Sequence, residues 1–333
     1  MTDRRQFLDR DSLTAVARAA WGTSRRLESV ERLAGGTKKG VYRLTCDDST
    51  TAVLYVWGEV ENYWPGAPRV DPADPFADAN GFELFMAANA ALLQINVRTP
   101  VVHLADATRS MLPSDFAVVE DVRGGSLASA LEANPEVAAP ALSALSDEMG
   151  RLHGIREVRI GKVARPVQSG RSVGPSCEQL VLERALGHLD ESAIRVESIR
   201  AVRGDLATAL RDMRSAIAPR REHGLIHSEL GPDHVLIDEQ GAPVLIDIEG
   251  LMFFDIEWEH AFLELRFGEH YQTLHQPNLD EDRLELYRLA QYLSLVAGPL
   301  RLLDGDFPNR ALMQDIVDWN VTQVLRFAPT ELT

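Results

Sequence analysis

Apolar residues along the chain keep one rhythm up to about residue 120 and another beyond it. The first part has short runs rich in Val, Leu, Tyr and Phe, broken by clusters of Gly, Asp and Ser, the mark of strands and turns. Asp11 and Ser12, good N-cap types, precede "LTAVARAAW" and predict a helix over 11–21. "ESVERLAGGTKKGVYRLTCDDSTTAVLYVWG" then reads as strand, Gly-rich turn, strand, polar turn and strand, an antiparallel meander. "FELFMAANAALLQI" is helical, and "TPVVHLAD" and "DFAVVEDV" complete a sheet of about five strands. Residues 59–80, rich in Pro, Asp and Ala, predict an irregular insert. A loop this long is functional or mobile; its Tyr63 and Trp64 are either a lid over a site or part of a surface insert.

Beyond "RGG" at 123–125 the period is that of helices: "SLASALEAN", "PALSALSDEMGRLHGI", "CEQLVLERALGHL" and "DLATALRDMRSAI". "ARPVQSGRSVGPS" reads as a flexible connector. A β-rich first third thus joins an α-rich remainder near residues 120–123, with no internal repeat.

Composition narrows the function. The 333 residues allow about two lobes. No apolar run approaches the ~18 residues that span a bilayer, and "MTDRRQFLDRD" lacks a secretory apolar stretch, so a cytoplasmic location is expected. A net charge of -16 argues against nucleic acid and anionic membrane as partners. Cys46 and Cys177 lie far apart without metal-ligand spacing. Only three of the 34 basic residues are lysines: Lys38, Lys39 and Lys162, and two of them sit together in "GGTKKG".

The chemistry concentrates in "HSELGPDHVLIDEQGAPVLIDIEG". Two apolar strands flank a Gly-containing turn, which predicts a β-hairpin. A turn centred between Gln240 and Gly241 would set His234 opposite Asp247, and a one-residue slip would separate them. Glu229 precedes the first strand. A carboxylate base beside two metal ligands is the equipment of phosphoryl transfer; solvated acids on a surface hairpin are the alternative.

These segments resemble the aminoglycoside phosphotransferase and choline-kinase-like family, which shares the protein-kinase-like fold. That family reads His-Gly-Asp-Leu-x-Pro-x-Asn, an apolar strand, a turn and Ile-Asp-Trp-Glu, where this chain has "HSELGPDHVLID" and "LIDIEG". "LAGGTKKGVYRL" is similar to the nucleotide loop, "VVEDVRGGSL" to the segment between lobes, "MGRLHGI" to the Leu-His helix and "FFDIEWEHAF" to the acidic stretch after the metal strand. The resemblance implies an α+β, bilobal fold: a small antiparallel N-lobe over 1–119 that binds nucleotide, a hinge at 120–123, and a larger helical lobe over 124–333 for catalysis and acceptor.

Carried over by position, Asp247 binds the metal on the ATP phosphates, and Glu229 accepts the acceptor's hydroxyl proton. His234 falls on a metal-ligand Asn, with Asp233 as a substitute ligand. Glu259 props the catalytic loop, and His227 is structural. Gly35, Gly36, Thr37, Lys38, Lys39 and Gly40 cover the phosphates, and backbone of Glu120 to Val122 meets adenine. Three positions depart from the pattern. Glu229 is longer than Asp by one methylene, and a misplacement of about 1 Å can cost roughly a hundredfold in rate. His234 suits Mn²⁺ better than Mg²⁺. Tyr55 stands where the phosphate-binding strand lysine belongs, so either Lys38 or Lys39 supplies that charge or the two are exposed turn lysines; Glu83 is the nearest candidate for its helix partner, or else a solvated helix acid.

Two functions follow. One is an ATP- and Mg²⁺-dependent kinase (Mn²⁺ possible) acting on a hydroxyl of a small, aminoglycoside-like or amino-alcohol acceptor; the acids at 280–282 either attract a cation or cap a helix. The other is a nucleotide-binding pseudokinase whose catalytic letters have drifted.

Overall fold

The structure is a computed structural model that describes residues 5–64, 74–77, 79–164 and 176–329. Its packing gives two compact units that interleave in sequence. The first gathers the described parts of 1–64, 78–141 and 233–250, the second those of 65–77, 142–232 and 251–333. The hairpin at 235–245, which chain order assigns to the second lobe, therefore packs in the first unit. The connector at 165–175 and residues 65–73 and 78 of the 59–80 insert lie outside the described residues.

The first unit is built on a five-stranded antiparallel sheet. Strands β1 (Leu27–Arg32), β2 (Gly40–Cys46), β3 (Thr51–Trp57), β4 (Val102–Asp106) and β5 (Asp115–Glu120) run in the order β1-β2-β3-β5-β4. In β2 the alternation is that of a half-covered strand: Tyr42, Leu44 and Cys46 are buried and their neighbours are not. Helix α1 (Arg10–Trp21) begins earlier than expected, because the Asp9 carboxylate accepts from Ser12 N at 2.9 Å and is the N-cap. Asp11 and Ser12 instead occupy the first turn. Leu13 and Val16 of α1 join Tyr42, Leu44, Leu54 and Phe116 in the core, each large side chain contributing roughly 1.5–3 kcal/mol. The Tyr42 hydroxyl donates to the Glu61 carboxylate, which Arg32 also holds at 2.9 Å, so the start of the insert is anchored on the sheet.

Helices α2 (Phe82–Gln94) and α3 (Leu127–Ala133) complete the unit together with the hairpin of Val235–Ile237 and Pro243–Leu245. The hairpin is tied in by Ile237 N donating to Gly125 O at 2.9 Å and Leu245 N to Arg98 O at 2.8 Å. Gly124 is required there: a Cβ would lie 2.1 Å from the Ile237 carbonyl oxygen.

The second unit is mostly helical. Helix α4 (Pro135–Gly154) ends in it, and α5 (Cys177–Arg195), α6 (Glu197–Ala201), α7 (Arg203–Ala216), α8 (Ile256–Phe267), α9 (Glu281–Asp304) and α10 (Arg310–Leu325) follow. Val181 and Leu189 of α5, Leu206 and Leu210 of α7, and Leu289 and Leu293 of α9 share one core. Within it, the buried Arg283 bonds Asp255, Glu178 and the Tyr287 hydroxyl; removing such a cation costs about 3–5 kcal/mol because the carboxylates stay buried. Asp280 accepts from Arg283 N at 3.2 Å and caps α9, so one of the 280–282 acids has a structural task. Among the described residues no helix is long and apolar enough to cross a membrane.

Candidate active site

The Gly-rich turn between β1 and β2 separates the two lysines. The turn doubles back so tightly that a Cβ on Gly36 would fall 2.5 Å from the Lys39 carbonyl oxygen; Gly35, with φ at 112°, adopts a backbone open to glycine. The start of the insert closes on this turn, with Tyr63 N donating to Thr37 O at 2.8 Å and Trp64 Nε1 to Thr37 Oγ1 at 3.0 Å. Lys38 reaches the Trp64 ring, its Nζ 5.5 Å from the centroid.

Lys39 turns the other way and is buried. Its ammonium donates to Asp247 Oδ1 at 2.8 Å and to Glu249 Oε1 at 2.6 Å. It also lies 4.9 Å over the ring of Tyr55, a cation–π contact. Burial alone would push its pKa down, but Asp247 and Glu249 outweigh that and hold it above the ordinary lysine value. Tyr55 is pushed up to about 12 by burial and by the same two acids, against Lys39, so its phenol stays neutral and serves as a floor. The preceding turn thus brings an ammonium against strand position 55. Its acid is Glu249, not Glu83, which is exposed in the first turn of α2.

The hairpin register differs from the expected one. Pro243 pairs with Ile237, Val244 with Leu236 and Leu245 with Val235, which brings Ile246, not Asp247, level with His234; Ile246 N donates to His234 O at 3.0 Å. The slip does not part the two residues. Asp247 has φ at 59°, the left-handed region, which breaks strand alternation and swings its carboxylate back. His234 Nε2 lies 3.7 Å from Asp247 Oδ2 and 3.9 Å from Asp233 Oδ2.

The chemistry of these donors, oxygen and imidazole nitrogen, is of the kind that divalent cations take. The His234 ring stands within 4 Å of a carboxylate oxygen on each side, Asp247 and Asp233, so it could share an ion with either acid. Glu249 adds a buried carboxylate whose Oε1 accepts from Trp57 Nε1 at 3.2 Å and whose Oε2 has no hydrogen-bond partner.

At residues 120–122 the Glu120 amide donates to Val101 O at 2.8 Å and the carboxylate pairs with Arg98 at 2.8 Å. Val122 is buried. An adenine contact at Glu120 would therefore fall to groups other than its amide.

In the second unit, the loop after the strand His223–Ile226 carries His227, Ser228 and Glu229. Ser228 has φ at 81°, strain of order 1–3 kcal/mol that the surroundings must sustain. Glu259 does so. Fully buried, it accepts from Ser228 N at 3.0 Å through Oε1 and meets His153 Nε2 at 2.8 Å through Oε2. The Glu229 side chain is exposed. Elsewhere in this unit Cys177, His223 and Asp255 come together. Arg283 holds Asp255, and burial pushes the Cys177 thiol up, which disfavours the thiolate a metal needs.

A five-stranded antiparallel sheet with a Gly-rich turn in one unit and a mostly helical second unit are the parts of a kinase-like phosphotransferase fold. The chain belongs to the phosphotransferase enzyme family, whose model matches residues 29–303. No curated protein matches by sequence. Among solved structures it is similar to a spectinomycin phosphotransferase in complex with ADP and spectinomycin, at TM-score 0.65 and 11% identity over 97% of this chain and 99% of that one. It is also similar to an aminoglycoside phosphotransferase in complex with GDP and kanamycin, at TM-score 0.61 and 17% identity over 94% and 97%. A third is an aminoglycoside phosphotransferase variant in a ternary complex with ADP and hygromycin B, at TM-score 0.58 and 16% identity over 93% and 98%. These likenesses establish the protein-kinase-like fold.

The residue pattern alone gave no role to Glu249. Glu249 was visible as the second acid of "IDIE", two residues past Asp247; its role depends on where Lys39 lies, which spacing alone does not tell.

Proposed function

We propose that the protein transfers the γ-phosphoryl group of ATP to a hydroxyl of a small molecule. The observation that carries this reading is the Lys39 ammonium 2.8 Å from Asp247: the cation absent at Tyr55 is still supplied to the acid that holds the phosphate-bound metal in this family. A drifted site has no reason to keep a buried ammonium whose two acids must offset its desolvation.

Each role then has an occupant. Lys39 and the amides of the Gly35–Gly40 turn bind phosphate oxygens. Asp247, with His234 and Asp233, would hold a divalent cation, which when bound neutralises charge on the phosphates. Glu229 accepts the proton as the acceptor oxygen bonds to the γ-phosphorus and the bond to ADP breaks. Glu259 fixes the backbone beside Glu229, which is how a longer carboxylate can be carried at the right height. Both cysteines are free and buried, in keeping with a cytoplasmic enzyme.

ADP release in ATP with Mg²⁺ or Mn²⁺, across hydroxylated acceptors, tests the reading. Turnover that Glu229→Gln lowers by about 10²-fold or more, with ATP binding retained, is expected. ATP binding without turnover on any acceptor would instead identify a pseudokinase.

A further inference from the structure

One face of α5 in the second unit carries Arg184 and, one turn further along, His188. The Arg184 guanidinium lies 4.9 Å over the ring of Phe76. Phe76 in turn packs on Phe254 at 5.2 Å and Trp258 at 5.0 Å, so the cation rests on a fixed aromatic base. Arg184 makes no hydrogen bond or ion pair with any described residue. The acids Asp74 and Glu229 act on it only through their fields, and burial lowers its pKa. Arg301, the other cation here, is already held by Glu191 at 2.7 Å. His188 is only 6% exposed, and its Nδ1 has no hydrogen-bond partner. Burial, with Arg184 and Arg301, pushes it down to about 3, so it is neutral.

A guanidinium offers five donors in a fixed fork. Among the described residues no side chain takes up these donors, while one face of the part-buried guanidinium rests on the Phe76 ring, and carboxylate or phosphate oxygens match that fork. A plain counter-charge for Glu229 or Asp74 would have been built as an ion pair. The overall charge of -16 does not decide this spot, where Arg184 feels the fields of Asp74 and Glu229 and is bonded to no anion among the described residues.

We propose that Arg184, with His188 beside it, binds an oxyanion group of the acceptor, so that the substrate is a hydroxylated carboxylate or phosphate ester rather than an aminoglycoside-like cation. This rests on the phosphotransferase reading, in which Glu229 takes the proton from the same molecule's hydroxyl.

Matched acceptors test it by ADP release: a hydroxy acid against its amide, a sugar phosphate against the parent sugar, and choline and kanamycin as cations. Turnover confined to the anionic members is expected, and which pair responds distinguishes carboxylate from phosphate. Arg184→Gln should raise the acceptor KM about tenfold or more with little change in the ATP KM, and Arg184→Lys should recover part of the loss. Turnover on a neutral or cationic acceptor, indifferent to Arg184→Gln, overturns this proposal and leaves phosphotransfer standing. If no acceptor turns over, the phosphotransferase reading fails by itself. Calorimetric titration of the whole protein with inorganic phosphate, under saturating ADP, then decides about Arg184: binding weakened about tenfold by Arg184→Gln supports it, and absent or unchanged binding rejects it.

Discussion

Lys39 and Glu249 are hydrogen-bonded at 2.6 Å across 210 residues of sequence. If Lys39 grips the phosphates as proposed, the pair accounts for a strand without its lysine and a helix without its acid. A lysine rising from the turn reaches the floor made by Tyr55 from above, and the acid within its reach is the one two residues past Asp247. An ammonium this buried is stable only with its carboxylate, so the two have to move together. Lys39→Ala would leave Glu249 buried without its cation. The expected result is a loss of roughly 3–5 kcal/mol of stability and of ATP-dependent thermal stabilisation, whereas Lys38→Ala, next to Trp64, costs far less. Melting curves with and without ATP check both; equal behaviour of the two variants would contradict the assignment.

The same geometry predicts a rescue. Because the Lys39 ammonium sits 4.9 Å from the Tyr55 ring, a lysine on the strand can reach the space it occupies. The double change Lys39→Met with Tyr55→Lys should regain part of the ATP affinity that Lys39→Met alone removes. Nucleotide titration of the single and double variants measures it. No recovery would mean that the position of the stem, and not only the charge, is read.

His234 gives a metal-dependent expectation. Its imidazole, 3.7 Å from Asp247, is a softer donor than an amide oxygen and favours Mn²⁺ over Mg²⁺. In His234→Asn the ratio of activities in Mg²⁺ and Mn²⁺ should move toward Mg²⁺ by about tenfold. An unchanged ratio would exclude the ring as a ligand.

The strands of the first part, the helical second part and the Gly-rich turn were legible because each rests on local periodicity and turn residues. The hairpin register was not. A symmetric turn centred at 240–241 was the simplest choice, but Asp238 accepts from the amides of Gln240 at 2.9 Å and Ala242 at 2.8 Å. That makes a three-residue loop with Gly241 left-handed and slips the pairing by one. His234 and Asp247 still meet because Asp247 is itself left-handed, a property that spacing does not encode. The surplus of arginine did point to Lys38 and Lys39, yet only burial and hydrogen bonding distinguish them. Arg184 stayed hidden for the opposite reason: one arginine among many on a helix face carries no local signal, and its meaning comes from Phe76, more than a hundred residues earlier.

The buried histidines make stability fall with acid in a definite window. His260 touches the Tyr271 hydroxyl at 3.1 Å, and burial, with His153 and His275 nearby, lowers its pKa from 6.5 to about 3; His188 is lowered to about the same value. In the unfolded chain both titrate near 6.5, so between that pH and about 3 the unfolded state binds protons that the folded state refuses. Their contribution is complete above pH 6.5, declines as pH falls and is fully lost near 3, each histidine adding about 1.4 kcal/mol per pH unit within the window. Asp255, which His223 and Arg283 hold low against its own burial, adds acid sensitivity of the same sign, but only in the carboxylate range. Urea unfolding between pH 6 and pH 5 therefore isolates the histidines. His188→Gln and His260→Gln should each flatten the slope of stability against pH there by about one proton's worth, whatever they do to stability at pH 8. A slope that neither change alters would mean that these imidazoles are protonated in the folded protein, and the neutral His188 assumed beside Arg184 would fall with it.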